Sequence, residues 1–386
     1  MITSNFTAAA PNFFATDEMP AKLVAVPSDN LSLDLKLEYV SARQWDEVAA
    51  EFADLIPEQM GSFNSGHWGE DNVEFVTFRK NAELVGGAVL IVRKIPFSGT
   101  GVAMLKWGPI FQKPGTSFDA VMYRATISCL KAEYCKKRKL HLTVVPVAKP
   151  ETSEHCTKLL PEMDFEKGDG FPAPERYIVN VQDSSEALMT SLDQKWRYNL
   201  RKALKNDFSI RVVDPLKGLD EFLDLYSQMI DRKQFHDSSA INALEKIVKE
   251  SPEETRPIIV LVSHDSRVTA GGVFHVAGNM ATYMFGATDT RALKLKAGYA
   301  LHWWVAEYLC EQQGIDWYDL GGNDLDGGLH QFKKGFVGKS GHILNSPHRY
   351  HFAQSISAKL AGFMAFRVRD LIASASRKLH SIKNKR

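Results

Sequence analysis

Two stretches of this chain alternate apolar and polar positions in the same way. Val73-Glu74-Phe75-Val76-Thr77-Phe78 and Leu84-Val85-Gly86-Gly87-Ala88-Val89-Leu90-Ile91 flank a polar turn at Asn81. Residues 257–262 and 268–274 repeat the design around Asp265-Ser266-Arg267, with Gly271-Gly272 early in the second run. Each stretch predicts strand, turn, strand. A helical period precedes each hairpin, through Trp45, Val48, Phe52 and Leu55 before the first and through Phe222, Leu225, Tyr226 and Met229 before the second. After the first come an apolar segment at 102–111, a helix near 118–136 and a strand at 140–147. After the second come a strand at 281–285, a helix from about Gly298 to Gln313 and a strand at 317–320. Helix, hairpin, strand, helix, strand is a mixed α/β unit whose last helix crosses over to a parallel strand. The repeat predicts two related α/β domains in tandem, joined near Asp183.

Composition agrees with that division. A chain of 386 residues suits about two domains, and 44% hydrophobic residues suffice for a sizeable core in each. The expected layout is an N-terminal extension at 1–34, domains at 35–183 and 184–352, and a basic tail at 353–386. A net charge of +1 excludes a polyanion as a partner of the whole surface, so any anion contact must be local. Cys129, Cys135, Cys156 and Cys310 lack metal-ligand spacing, so neither a metal nor a disulfide framework is expected. The first twenty residues lack a basic start followed by an apolar run, and no run approaches the ~20 residues of a membrane span. A cytoplasmic protein is expected.

Three places carry candidate chemistry. The first is a helix at the domain junction, where Ser191 and Gln194 have capping-box spacing. In it Trp196, Leu200 and Leu204 form a buried stripe, bordered by Arg197, Arg201 and Lys205; Lys195 and Lys202 add charge. Arginine forks suit phosphate or carboxylate. The second is Lys294-Leu295-Lys296-Ala297-Gly298-Tyr299-Ala300, a glycine-containing loop opening a helix, whose free N–H groups and dipole suit a pyrophosphate. The third is Tyr318-Asp319-Leu320-Gly321-Gly322 followed by Phe332-Lys333. It places an acid, paired glycines and a lysine at the end of a strand, the edge where ligands gather in α/β sheets. Asp319 suits a base, an orienting acid or a loop cap; Lys333 suits charge that develops in a reaction, with Phe332 excluding water.

Tyr177-Ile178-Val179, the block Lys195 to Ala203, Trp107-Gly108-Pro109, Tyr318 to Gly322 and Phe332-Lys333 together resemble the FemABX peptidyltransferases and the related BioF2-like acetyltransferase domains of the GNAT superfamily. The resemblance runs over roughly 35–350. It implies an α/β fold with mixed sheets, two tandem GNAT-like domains facing a cleft and a C-terminal helix. It also implies transfer of an acyl or aminoacyl group from acyl-CoA or aminoacyl-tRNA to an amine, with no permanently bound cofactor. By the same resemblance Lys333 stabilises the tetrahedral intermediate, Phe332 neighbours it, Arg197 or Arg201 grips a substrate phosphate, and Lys296, Gly298 and Ala300 hold the donor. The loop has Leu295 where the full donor pattern has arginine or glutamine. The acceptor block is Phe63 to Gly69, with Trp68 in place but Glu70 and Asp71 where a lysine follows in the family. A small-molecule or lipid-linked amine is therefore the expected acceptor, with tRNA as a donor carrier. A catalytically silent relative that binds a phosphorylated envelope precursor is the alternative. The tail from Ile356 holds eight bases against one acid, Asp370, interleaved with apolar residues, a pattern that suits the inner face of an anionic membrane.

Overall fold

The structure, a computed structural model, describes residues 23–24, 33–96, 98–170, 175–233, 240–322 and 327–368. In the first half, strands β1 (Leu23–Val24), β2 (Leu35–Val40), β3 (Val73–Lys80), β4 (Glu83–Lys94), β5 (Gly101–Lys106), β6 (His141–Val145) and β7 (Glu166–Lys167) alternate with four helices. These are α1 (Ala42–Ala49), α2 (Gly61–Trp68), α3 (Ala120–Leu130) and α4 (Thr152–Glu162). The second half holds β8 (Glu175–Asn180), β9 (Ser209–Val213), β10 (Ile258–His264), β11 (Arg267–Ala277), β12 (Met280–Thr288), β13 (Trp317–Gly322), β14 (His342–Asn345) and β15 (Tyr350–Phe352). Its helices are α5 (Ser185–Ser191), α6 (Gln194–Ala203), α7 (Pro215–Lys233), α8 (Leu244–Glu250), α9 (Ala292–Leu295), α10 (Ala297–Cys310) and α11 (Gly327–Val337). A last helix, α12, spans 356–368. Of the N-terminal extension at 1–34, all but 23–24 and 33–34 lies outside the described residues, as does the tail beyond 368.

The hairpins β3–β4 and β10–β11 are built alike. Each turns through two residues of positive φ, Asn81 (48°) and Ala82 (72°) in one and Asp265 (51°) and Ser266 (59°) in the other. Such turns match the twist of the strands they join. Each first strand also shifts register near the turn, after Phe78 and after Val262. Counted from the turns, Gly87 corresponds to Gly271, so the two glycine pairs are offset by one residue. Gly87 lies against Trp45 of α1, and Gly271 against Phe222 of α7. The correspondence then runs on: β2 to β6 and β9 to β13 each make three antiparallel pairings and one parallel pairing, β5 with β6 and β12 with β13. Helices α3 and α10 supply the crossovers that a parallel pairing requires.

Beyond this core the halves trade strands. The order in the first sheet is β1-β2-β3-β4-β5-β6-β15-β7, and in the second β14-β8-β13-β12-β11-β10-β9. Strand β8 comes before residue 183 yet pairs with β13, and β15 comes after the second sheet yet pairs with β6. The sheets therefore depart from boundaries at 35–183 and 184–352: residues 175–180 belong to the second sheet and 350–352 to the first. The reason is that β6 and β13 each offer an open edge, which any antiparallel strand can fill.

Both sheets are covered on both faces. In the first, Val76, Phe78, Leu90 and Val92 pack towards α3, and Phe75, Val89 and Ile91 pack towards α1. In the second, α10 and α11 cover one face and α7 and α8 the other. Helix α1 ends at Ala49, short of the expected Leu55, but Phe52 and Leu55 are still buried. Helix α2 docks on α8 of the other half, with Ser62 Oγ 3.0 Å from Ser251 Oγ and Lys246 Nζ donating to Glu70 at 2.8 Å.

The turn between β11 and β12 enters the first half. Asn279 N donates to Ala53 O (2.7 Å), Lys149 Nζ donates to Asn279 Oδ1, and Asn279 Nδ2 donates to Asp316 Oδ2 (2.9 Å). Gly278 sits at φ 61°, where a Cβ would stand 2.5 Å from Ala53 O. Gly278→Val should therefore destabilise the protein by about 1–3 kcal/mol, through strain and loss of this seam. A urea-unfolding midpoint unchanged from the wild type would show that the seam carries no stability.

Candidate active site

The parallel pairing of β12 and β13 covers only Met280–Thr282 and Trp317–Asp319. Both strands continue, so they part at their C-terminal ends, and the N-terminus of α10 points to the same edge. Helix α11 closes the gap. Lys333 sits mid-helix, not at the start of its element as the sequence suggests. It is 7% exposed, and its Nζ donates to the carbonyl of Gly322 at 2.5 Å. The same ammonium stands 5.9 Å from the ring centre of Tyr177 on β8. An ammonium at that depth is desolvated, which strengthens its action on any negative charge formed beside it.

Phe332 joins three helices. Its ring lies 4.9 Å from Tyr299 of α10, 5.4 Å from His302 and 5.9 Å from Trp196 of α6. Trp196 in turn stacks on Phe336 at 4.4 Å. His302 is buried among these rings, its Nδ1 2.7 Å from Tyr318 Oη. Burial, with the Lys333 ammonium adding to it, pushes His302 down to about 3, so it is a neutral imidazole.

Asp319 is 1% exposed and engaged on both oxygens: Oδ1 accepts from Gly321 N at 2.7 Å, and Oδ2 pairs with Arg176 of β8. The Arg176 guanidinium also lies 4.4 Å from the ring centre of Trp107, at the end of β5, where Gly108-Pro109 is cis. Lys106 Nζ is 4.6 Å from the centre of the same ring. The C-terminal edges of both parallel pairs therefore meet at Trp107, Arg176 and Asp319.

The basic helix departs from expectation in three ways. Asp193 is the N-cap of α6 and no capping box forms, because Ser191 still belongs to α5 and its Oγ donates to Leu188 O. Leu204 is 56% exposed, and Ala203 takes its place in the buried stripe. Arg197 does not present a free fork: its Nη1 donates to Thr190 O (2.9 Å) and Leu192 O (2.6 Å), closing the α5–α6 junction. Arg201 and Lys195 are exposed on α6. The helix lies along the loop at 294–300, with Asn199 Nδ2 donating to Tyr299 Oη (3.2 Å) and Asn206 Nδ2 to Leu295 O (2.8 Å).

That loop is helical on both sides of Lys296, which takes the left-handed conformation (φ 59°) between α9 and α10. Tyr299 and Ala300 donate back to Lys296 O; of the first two residues of α10, Ala297 is fully buried and Gly298 half-buried. Ala300 is buried and offers backbone alone. Trp68 stands apart, on α2, with its carbonyl accepting from Asn72 and Arg93 and its ring against His67. Phe332, Lys333 and the α10 N-terminus thus come together, α6 flanks them, and Trp68 packs against the first half's core.

His330, which in the sequence reads as a proton shuttle or, alone in a polar loop, as an incidental residue, joins them. Tyr177 Oη donates to Glu175 Oε2 (2.5 Å) and lies 2.6 Å from His330 Nδ1. His330 is three residues before Lys333 and so shares its face of α11. That spacing was the available signal.

Among proteins with curated descriptions, none matches this sequence. Residues 191–334 match the family model for an acetyltransferase (GNAT) domain. This part of the chain is a GNAT acetyltransferase domain. The fold of the whole resembles the crystal structure of FemX, at TM-score 0.66 and 13% identity over 85% of this chain and 99% of that one. It also resembles the C-terminal domain of a lysylphosphatidylglycerol synthetase from Agrobacterium fabrum (TM-score 0.52, 12% identity, 84% and 97% covered). A Bacteroides thetaiotaomicron protein of unknown function scores 0.53 at 12% identity, with 81% and 97% covered. The fold is thus shared over most of the chain, and the family match places an acetyltransferase (GNAT) domain at residues 191–334.

The neutral His302 makes the acyltransferase domain sensitive to acid. Its folded value of about 3 lies below the ordinary 6.5, so between these values the unfolded chain binds more protons. Its contribution is full above pH 6.5 and is lost as pH falls towards 3, on the order of a few kcal/mol. His302→Gln should flatten the fall in urea midpoint over that window; a pH profile unchanged by the substitution would rule His302 out as its source.

Proposed function

We propose that the protein transfers an acyl or aminoacyl group from an activated donor to an amine of a cell-envelope, sugar or amino-acid precursor. The observation that carries this reading is Lys333, an ammonium buried where β12 and β13 part, with its neighbour Phe332 packed on the first turn of α10. An ester or thioester carbonyl seated there would be attacked directly by the acceptor amine. The carbon–nitrogen bond forms, the carbonyl oxygen takes the negative charge, and the Lys333 ammonium holds it until the donor's alcohol or thiol leaves. The proton lost by the amine has a route to His330, through a site that Tyr177 and Glu175 orient, or to water. Phe332 and Tyr299 exclude solvent from the reacting carbonyl.

The N–H of Gly298, with Lys296 beside it in the chain, suits the phosphates of a coenzyme A thioester; an aminoacyl-tRNA presents the same chemistry through its terminal phosphates. The amine acceptor is proposed to enter from the side of Trp107 and Arg176, where the halves meet. There the cations of Lys106 and Arg176 suit an anionic precursor.

Binding of a panel of acyl-CoAs and charged tRNAs to the purified protein, read by calorimetry, separates the donors; binding of neither class would overturn the reading. Lys333→Met, which keeps side-chain volume, should lower turnover by about 10²–10³ while leaving donor affinity and the unfolding midpoint near wild type. Full activity in that variant would remove Lys333 from the chemistry.

A further inference from the structure

Helix α12 is docked the wrong way round for a surface helix. Its contact with the first sheet is made by small residues: Ala358, Ala361 and Gly362 are buried. Gly362 lies so close to His141 that a Cβ would stand 2.3 Å from the imidazole ring. Phe366 packs beside the same pair of histidines, 6.2 Å from the His141 ring and 5.2 Å from His351. Lys359 Nζ ties the helix to Glu166 of β7 at 2.6 Å.

The large apolar side chains face outwards. Ile356 is 81% exposed, Leu360 58%, Phe363 54%, Met364 58% and Val368 49%. Their spacing of four, three, one and four residues puts them on one stripe of the helix. Single exposed apolar residues are ordinary, but five on one helical face form a contiguous patch of the kind that marks a contact surface.

We infer that this face of α12 lies in the surface of an anionic lipid bilayer. Charge selects this occupant. Residues 356–368 contain no acid; Lys359 borders the stripe, and Arg367, four residues after Phe363 and seven after Leu360, stands on it at its C-terminal end, 4.9 Å from the centre of the Phe363 ring. The sequence that follows, 369–386, adds six bases and one acid. Basic residues beside an apolar stripe are the pattern of a helix lying in the plane of anionic headgroups. Two copies meeting stripe to stripe would instead bring these bases together without a counter-charge. The thirteen described residues of the helix span about 20 Å, and its docking on His141 and Glu166 holds it against the protein with the stripe facing outwards. The inference is independent of which donor or acceptor the catalytic site uses.

The full-length protein is tested by co-sedimentation with vesicles of phosphatidylglycerol and phosphatidylcholine in equal parts, and with phosphatidylcholine alone. Binding to the anionic vesicles is expected, weakening with salt. The variant Leu360→Ser/Phe363→Ser/Met364→Ser should lose at least about tenfold in partitioning, with an unchanged thermal midpoint because these side chains are exposed. Absence of binding to the anionic vesicles would overturn the inference. So would equal binding by the triple variant, which keeps every base of the tail. A dimer in sedimentation velocity that the triple variant dissociates, without vesicle binding, would assign the face to a second copy and likewise overturn it.

Discussion

The exchange of β8 and β15 between the two sheets is the constraint on which the rest of the molecule depends. Beside its parallel pair the first sheet is completed by β15, from the end of the second half, and the second sheet by β8, from the junction between the halves. The first sheet cannot pair the free edge of β6 until the second half has presented β15. The exchange also decides what stands at the active edge. Arg176 and Tyr177 are on β8, and only its pairing with β13 brings them beside Asp319 and Lys333. Had β8 stayed in the first sheet, Asp319 would be a buried carboxylate without its guanidinium, a state that costs several kcal/mol.

The interface that follows from this exchange is polar where it is deepest. Asp54 lies in the first half, its carboxylate accepting from Phe111 N and Gln112 N at 3.0 and 3.1 Å. Burial pushes its carboxyl up to about 6, against those two bonds and the Lys149 charge. Lys149 is pushed down by the same burial and reaches across to Asn279. Such a network is weak as a source of stability and strong as a source of register, because an unpaired member is costly. It fixes the β11–β12 turn against Ala53, and with it the position of β12, one wall of the gap that Lys333 closes. The rigidity that oxyanion stabilisation requires thus originates at the seam between the halves, outside the reacting cluster.

How much of this was legible follows from how local each feature is. The hairpins were readable because alternation, turn residues and glycine pairs all fall within twenty residues, and the crossover helices because their period is long. The exchange was not readable: β15 is three residues long, and nothing in Tyr350–Phe352 says which edge it will meet. In the site, Phe332 and Lys333 were singled out through a motif, whereas the bonds of Arg197 to Thr190 and Leu192 were not foreseeable, because backbone carbonyls leave no mark in a sequence. His330 looked incidental for a related reason. Its meaning comes from Tyr177, 153 residues away, brought near by the exchanged strand. Leu204 failed because the helix ends at Ala203, so the four-residue step ran one turn too far.

The same strand carries the argument to the other end of the molecule. Because β15 is paired with β6, the chain leaves the first sheet at Phe352 and can place α12 only against that sheet, on His141 and His351. Both histidines are pushed down to about 4, chiefly by burial, and so form an uncharged floor for the helix. A neutral floor beneath small residues accepts the helix closely and leaves no room there for Ile356, Leu360, Phe363 or Met364. The outward turn of these side chains is thus a consequence of the docking. A stripe so fixed costs little conformational entropy to bury against a further surface, since the helix is already ordered. Strand exchange therefore does two things with one topology: β8 completes the chemistry of the second sheet, and β15 anchors the outward-facing helix to the first.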